Sequence, residues 1–167
     1  MQKYLKQTIR AGLIASLYTA LTLVVFPVAS GSIQVRISEA FTLLPLLYVE
    51  AIPALAVGCL ISNMLTGCAP LDVILGSLVT LVSAVMTYGV GKIFKSTALK
   101  IIFGGLFPVL LNAFLLPLIW LWAYGTGEYV YILQVAFLLV GQTLSVYAVG
   151  TPLYLAMKKR QKDIEKT

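Results

Sequence analysis

The chain has 167 residues, of which 60% are apolar and only 11% charged, against roughly 25% charged in an ordinary soluble domain. Eighteen charged side chains cannot cover the surface of a soluble protein of this length, which excludes soluble, disordered, fibrous and disulfide-scaffold classes and leaves an all-α integral membrane protein. At ~20 residues per span, the length accommodates about six helices in a single membrane domain covering residues 1–167.

The first apolar run is Thr8 to Val28, preceded by Lys3, Lys6 and Arg10. It is longer than the core of a secretory signal and no soluble domain follows it, so a retained first transmembrane helix is expected at 8–28. Small residues recur there at helical spacing: Ala11 and Ala15, and one position on Gly12, Ser16 and Ala20. Such spacing lets a second helix approach closely, inside the monomer or from a partner. The stretch Ser38 to Thr66 carries Glu50 in its middle, flanked by Pro45 and Pro53. A single span would bury that carboxylate near the bilayer centre at high cost. Two short helices, 38–49 and 51–65, put Glu50 at a turn instead. Three further apolar runs predict helices at 71–90, 99–122 and 129–157.

Basic residues concentrate on the cytoplasmic side of a membrane protein. Here they cluster at the N-terminus, at Lys92, Lys95 and Lys100, and from Lys158 to Lys166. Only the split of 38–66 into two crossings places all three clusters on one side. Six crossings of a cell membrane with both termini cytoplasmic follow, with 11 of the 12 basic residues inside. Glu39, Asp72, Glu128 and Arg36 then remain on the outer side.

Much chemistry is excluded. With no histidine, neither a Ser-His-Asp triad nor a His-ligated metal site can form. Cys59 and Cys68 are too few for a thiolate metal site and read as packing residues. No cofactor is expected. The stretch from Gly89 to Lys92 resembles part of a nucleotide-binding loop, but Met86 and Ile93 stand where that pattern requires glycine and a hydroxyl residue. The last three spans hold no Asp, Glu, Lys or Arg in their central turns, unlike proton- or ion-coupled carriers. Polar side chains that do fall within or beside spans point to packing or to a ligand, because hydrocarbon leaves them unpaired otherwise. Asn63, Asn112, Gln134 and Gln142, with Gln34, Arg36, Glu39, Asp72 and Glu128 from the outer connections, mark a candidate pocket in the outer half. Carboxylates and amides can answer the donor–acceptor edge of a flat heterocycle. Trp120, Trp122, Tyr124, Tyr129 and Tyr131 crowd the same end, as an interfacial belt would.

The segment Gly31-Ser-Ile-Gln-Val-Arg-Ile-Ser-Glu-Ala-Phe-Thr-Leu-Leu-Pro45 resembles the "IQxRxSEALTxLP" signature of the QueT family of queuosine-precursor transporters. Phe41 replaces the usual Leu, and the polar positions are intact. Ser62-Asn63, Gly67, Leu71-Asp72 and Gly76 through Leu81 resemble that family's next polar connection, and the likeness runs over roughly 8–155. It implies a substrate-binding S component of an energy-coupling-factor transporter: a six-helix bundle with short second and third helices. Implied partners are a transmembrane coupling protein and two ATPase subunits, which hydrolyse ATP. An alanine pair on the first helix, matched by Ala11 and Ala15, would dock on the coupling protein. The implied solute is a 7-deazaguanine such as 7-aminomethyl-7-deazaguanine or queuine. Glu39 would meet its guanine-like edge, Asp72 or Glu128 its aminomethyl cation, and Gln34 and Asn112 its rim. Arg36 would contact ligand or orient Glu39. Another small vitamin as solute, or an autonomous permease, are the readings left open.

Overall fold

Each apolar run folds as a helix, because in hydrocarbon a backbone must satisfy its own hydrogen bonds. The computed structural model describes residues 2–29, 36–125 and 128–165. Helix α1 covers Gln2–Ala29, a 3-10 helix covers Ile37–Leu46 and α2 covers Ala51–Leu65. They are followed by α3 at Pro70–Ile93 and α4 at Thr97–Tyr124. The last rod runs unbroken through α5 at Glu128–Thr143, a π-helical segment at Leu144–Val149 and α6 at Gly150–Glu165. Among the described residues the chain forms six helical rods, the number of helices expected, and no strand.

Four of the rods are long and apolar enough to cross a membrane: Tyr4–Val25, Pro70–Ile93, Thr97–Tyr124 and Val130–Gln161. At ~1.5 Å per residue each exceeds the ~30 Å hydrocarbon thickness. Their outward faces carry Leu13, Leu17, Val24, Ile74, Leu78, Val82, Ile102 and Phe103, whereas Ser38, Glu39, Thr42, Asn63, Asp72 and Asn112 lie buried inside. That is the reverse of a soluble protein, and it fits a lipid solvent.

The second rod departs from expectation. An α-helix over 38–49 was predicted; the chain forms a 3-10 helix that stops at Leu46. Ten residues is long for this conformation, whose hydrogen bonds are poorer than those of an α-helix. The reason is crowding: the rod is buried from Ser38 to Pro45 and touches α1, α2, α3, α4, the π segment and α6. A thinner helix lets all of these close around it. At Gly150 the approach is so close that a Cβ would stand 2.9 Å from the Ala40 carbonyl oxygen.

Two sets of contacts define the ends of the bundle. At one end Arg10 Nη1 lies 2.5 Å from Glu50 Oε1, with its guanidinium 4.1 Å from the centre of the Tyr48 ring. Lys158 Nζ donates to Thr97 Oγ1 at the same end. At the other, the Ala69 amide donates to Tyr124 Oη at 2.9 Å and Thr22 Oγ1 donates to Ser38 Oγ at 2.8 Å. The chain thus reverses at Glu50, as the charge placement predicted. The basic residues of α1, of the α3–α4 connection and of α6 gather at one end. The turns at the opposite end include Gly67 (φ 75°) and Gly125 (φ 67°), left-handed positions that glycine adopts without steric cost.

Candidate functional site

Glu39 stands in the first turn of the 3-10 helix and is only 2% exposed. An ionisable group inside a membrane bundle is costly, and is kept where it serves a function. Its two oxygens have separate partners. Tyr18 Oη on α1 donates to Oε1 at 2.6 Å, and Asn112 Nδ2 on α4 donates to Oε2 at 3.1 Å. The Arg36 guanidinium lies within electrostatic reach of both Glu39 and Asp72. Three separate rods thereby meet at one carboxylate.

A second carboxylate lies nearby. Asp72 is 4% exposed, in the first turn of α3, and its Oδ2 accepts the indole N–H of Trp120 at 3.0 Å. Asn63 on α2 is buried and its amide nitrogen stands 3.6 Å from the Cys59 sulfur. Gly76 lets these groups meet: a Cβ there would lie 3.2 Å from Asp72 Oδ1 and 3.3 Å from Asn63 Nδ2. Nearby hydroxyls turn back on their own helices, Ser77 to the Val73 carbonyl and Thr80 to the Gly76 carbonyl. They satisfy themselves and leave the carboxylates as the distinctive chemistry.

Of the residues expected to form the site, the structure gathers Arg36, Glu39 and Asn112 in one group and Asn63 and Asp72 in an adjoining one. Gln134 and Gln142 lie on α5, outside both hydrogen-bonded groups. Gln142 is 1% exposed, and neither atom of its amide has a partner. Gln34 and the side chain of Glu128 lie outside the described residues. Ala11 and Ala15 face inward: both are half-buried against the cluster containing Ile14, Tyr18, Leu55 and Cys59. The Ala15 carbonyl oxygen would stand 3.0 Å from a Cβ at Gly58 on α2. Small residues on both helices are used there to bring α1 and α2 together. The outward small residues are Gly12, Ser16 and Ala20.

Reasoning from sequence missed Tyr18 and misassigned Trp120. A tyrosine in the middle of an apolar span was the available signal, since its hydroxyl needs a partner in hydrocarbon. Trp120 was expected in the interfacial belt and is instead buried against Asp72. Trp122 and Tyr124, at 71% and 53% exposed, lie on the surface of the bundle.

A groove of about 270 Å³ between α3 and α4 is lined by Leu75, Leu78, Val79, Leu111, Leu115 and Trp122, among others. Apart from the indole of Trp122 its lining is aliphatic, without the set of donors and acceptors that would orient a polar solute, so it is not the candidate site. Among the described residues no cluster of metal-ligating side chains forms.

The sequence profile described as "QueT transporter" matches residues 8–159. No curated protein and no solved structure matches the chain.

Proposed function

Because the chain belongs to the QueT transporter family, a family of transporters and not of enzymes, we propose that it is the substrate-binding subunit of an energy-coupling-factor importer for a queuosine precursor. The observation that carries this reading is Glu39, a buried carboxylate held by two neutral donors on separate helices. A carboxylate offers about four lone-pair positions, and Tyr18 and Asn112 occupy two. Another suits the exocyclic amine of a 7-deazaguanine, which leaves the ring N–H and C=O of that edge for a partner elsewhere in the site. Asp72 accepts from Trp120 through one oxygen, leaving the other for the aminomethyl cation of the aminated precursor.

The nearest approach to a phosphate-binding loop in the sequence has Met86 and Ile93 at the decisive positions. Partner ATPases and a transmembrane coupling protein supply the work. Helix α1 is the docking element. It is the least enclosed of the four long helices, with 11% of its apolar window buried, and nothing lies within 4 Å of a Cβ at Gly12. The outward positions Gly12, Ser16 and Ala20 extend the contact beyond Ala11 and Ala15, which already pack partly against α2.

Equilibrium binding of purified protein to a panel of deazapurines, purines and B vitamins tests this reading. The expected result is preference for 7-aminomethyl-7-deazaguanine or queuine, weakened at least ~10-fold by Glu39→Gln, which corresponds to about 1.4 kcal/mol. A Glu39→Gln protein that binds as tightly as the unaltered one removes Glu39 from the site.

A further inference from the structure

Among the described residues, three buried side-chain polar atoms have no hydrogen-bond partner: Oε1 of Gln134, and both Oε1 and Nε2 of Gln142. All belong to one strip of α5, since positions eight apart on an α-helix share a face. The contrast with the rest of the interior is sharp. Glu39, Asn112, Asp72, Asn63, Ser62 and Thr80 each make at least one hydrogen bond within the protein. Gln142 is as deeply buried as they are and makes none.

Its neighbours fix its level. Leu138, one turn before it, packs in the cluster of Ala113 and Leu116. Val146, about one turn after it, packs with Leu43 and Val109. Gln142 therefore lies level with the stretch of α4 that carries Asn112. Two residues later the helix opens into the π-helical segment Leu144–Val149. Such widened turns occur frequently at functional sites.

A carboxamide buried with its donor and acceptor both unused is destabilising. A methionine or leucine would fill the same space at no such cost. We infer that Gln142, seconded by Gln134, is a specificity-determining contact that pairs with a side-by-side donor and acceptor on the solute, as in the lactam edge of a heterocycle. The inference rests on the reading of this protein as a solute-binding subunit. It adds a contact from α5 at the level of Asn112, the residue of α4 that bonds Glu39. A lactam presents N–H and C=O in the geometry a carboxamide needs, and satisfies both of its atoms in one cyclic pair.

The test uses full-length protein in nanodiscs, with Gln142→Met and Gln134→Met variants. Affinity is measured for 7-aminomethyl-7-deazaguanine, guanine, xanthine and riboflavin, which carry such an edge. Thermal unfolding of the ligand-free proteins is measured alongside. Gln142→Met is expected to raise Tm by about 2–4 °C, the shift of roughly one relieved polar group in a chain of this size. It is also expected to weaken the bound compound at least ~10-fold, with a smaller loss for Gln134→Met. Unchanged affinity in Gln142→Met overturns the inference, as does a lowered Tm, which would mean that the amide already has a partner. Binding of none of the four compounds by the unaltered protein also overturns it. Binding of riboflavin or xanthine but not the deazaguanine, with the same loss in Gln142→Met, upholds this contact and removes the proposed substrate. Should Gln142→Met fail to fold, Gln142→Leu carries the same two readouts.

Discussion

The hydroxyl of Tyr18 and the amide of Asn112 keep a carboxylate tolerable at a position where only 2% of its residue's surface is exposed. Hydrogen bonds to charged groups contribute about 1.5–3 kcal/mol each. Tyr18→Phe removes one of them without changing the ring, and is expected to lower Tm by ~4–8 °C in thermal unfolding. Trp120→Phe leaves Asp72 Oδ2 without its indole donor and is expected to cost about 1–3 kcal/mol in the same assay. An unchanged Tm in either variant would mean that the carboxylate is satisfied from elsewhere. Glu39 and Asp72 were legible in the sequence because a charge in an apolar chain is conspicuous. Their partners were not. Tyrosine and tryptophan are common at membrane interfaces, and nothing in the order of residues tells a belt aromatic from a buried donor whose acceptor lies 21 or 48 positions away.

At the scale of elements, the division of 38–66 at Glu50 was readable from charge placement alone, and Arg10 and Tyr48 now show what holds that turn. The pair is partly open to solvent, with 38% of the Arg10 side chain exposed, so it contributes no more than ~1 kcal/mol. The 3-10 geometry of Ile37–Leu46 was not readable, because its cause is the closeness of six surrounding elements and not a local preference. The π segment is equally silent in sequence: Leu144 to Val149 is ordinary apolar helix by composition. Two glycines separate packing from open surface. Gly150→Ala drives a methyl group against the Ala40 carbonyl and is expected to destabilise by about 1–3 kcal/mol. At Gly12 a Cβ meets nothing in the monomer, so Gly12→Leu starts its side chain into open surface. It should leave Tm within ~2 °C of the unaltered protein, while reducing co-purification with the coupling protein. Intact co-purification would move the docking face off this side of α1.

For the whole molecule, the scarcity of charge that marked a membrane protein also arranges it. Apart from Arg36, the basic residues of the described chain gather at the end where Glu50 turns, and the buried carboxylates Glu39 and Asp72 lie towards the other with Arg36 beside them. The composition and the periodic apolar runs made the helical membrane fold legible almost completely. The signature around Arg36 and Glu39 pointed to the family that the profile over 8–159 establishes. What remained hidden was which polar groups pair with one another and which stay unpaired, because that depends on helix rotation and not on spacing. Gln142 and Asn112 look alike in sequence, yet one is bonded to Glu39 and the other to nothing. On the proposed reading, this chain captures a solute but does not by itself drive its uptake. The direct test is accumulation of labelled 7-aminomethyl-7-deazaguanine by cells expressing the protein with and without the ATP-driven coupling module. Accumulation that requires the module, and falls to background with Glu39→Gln, is the predicted result; equal accumulation in its absence would show that the chain moves the solute without the module.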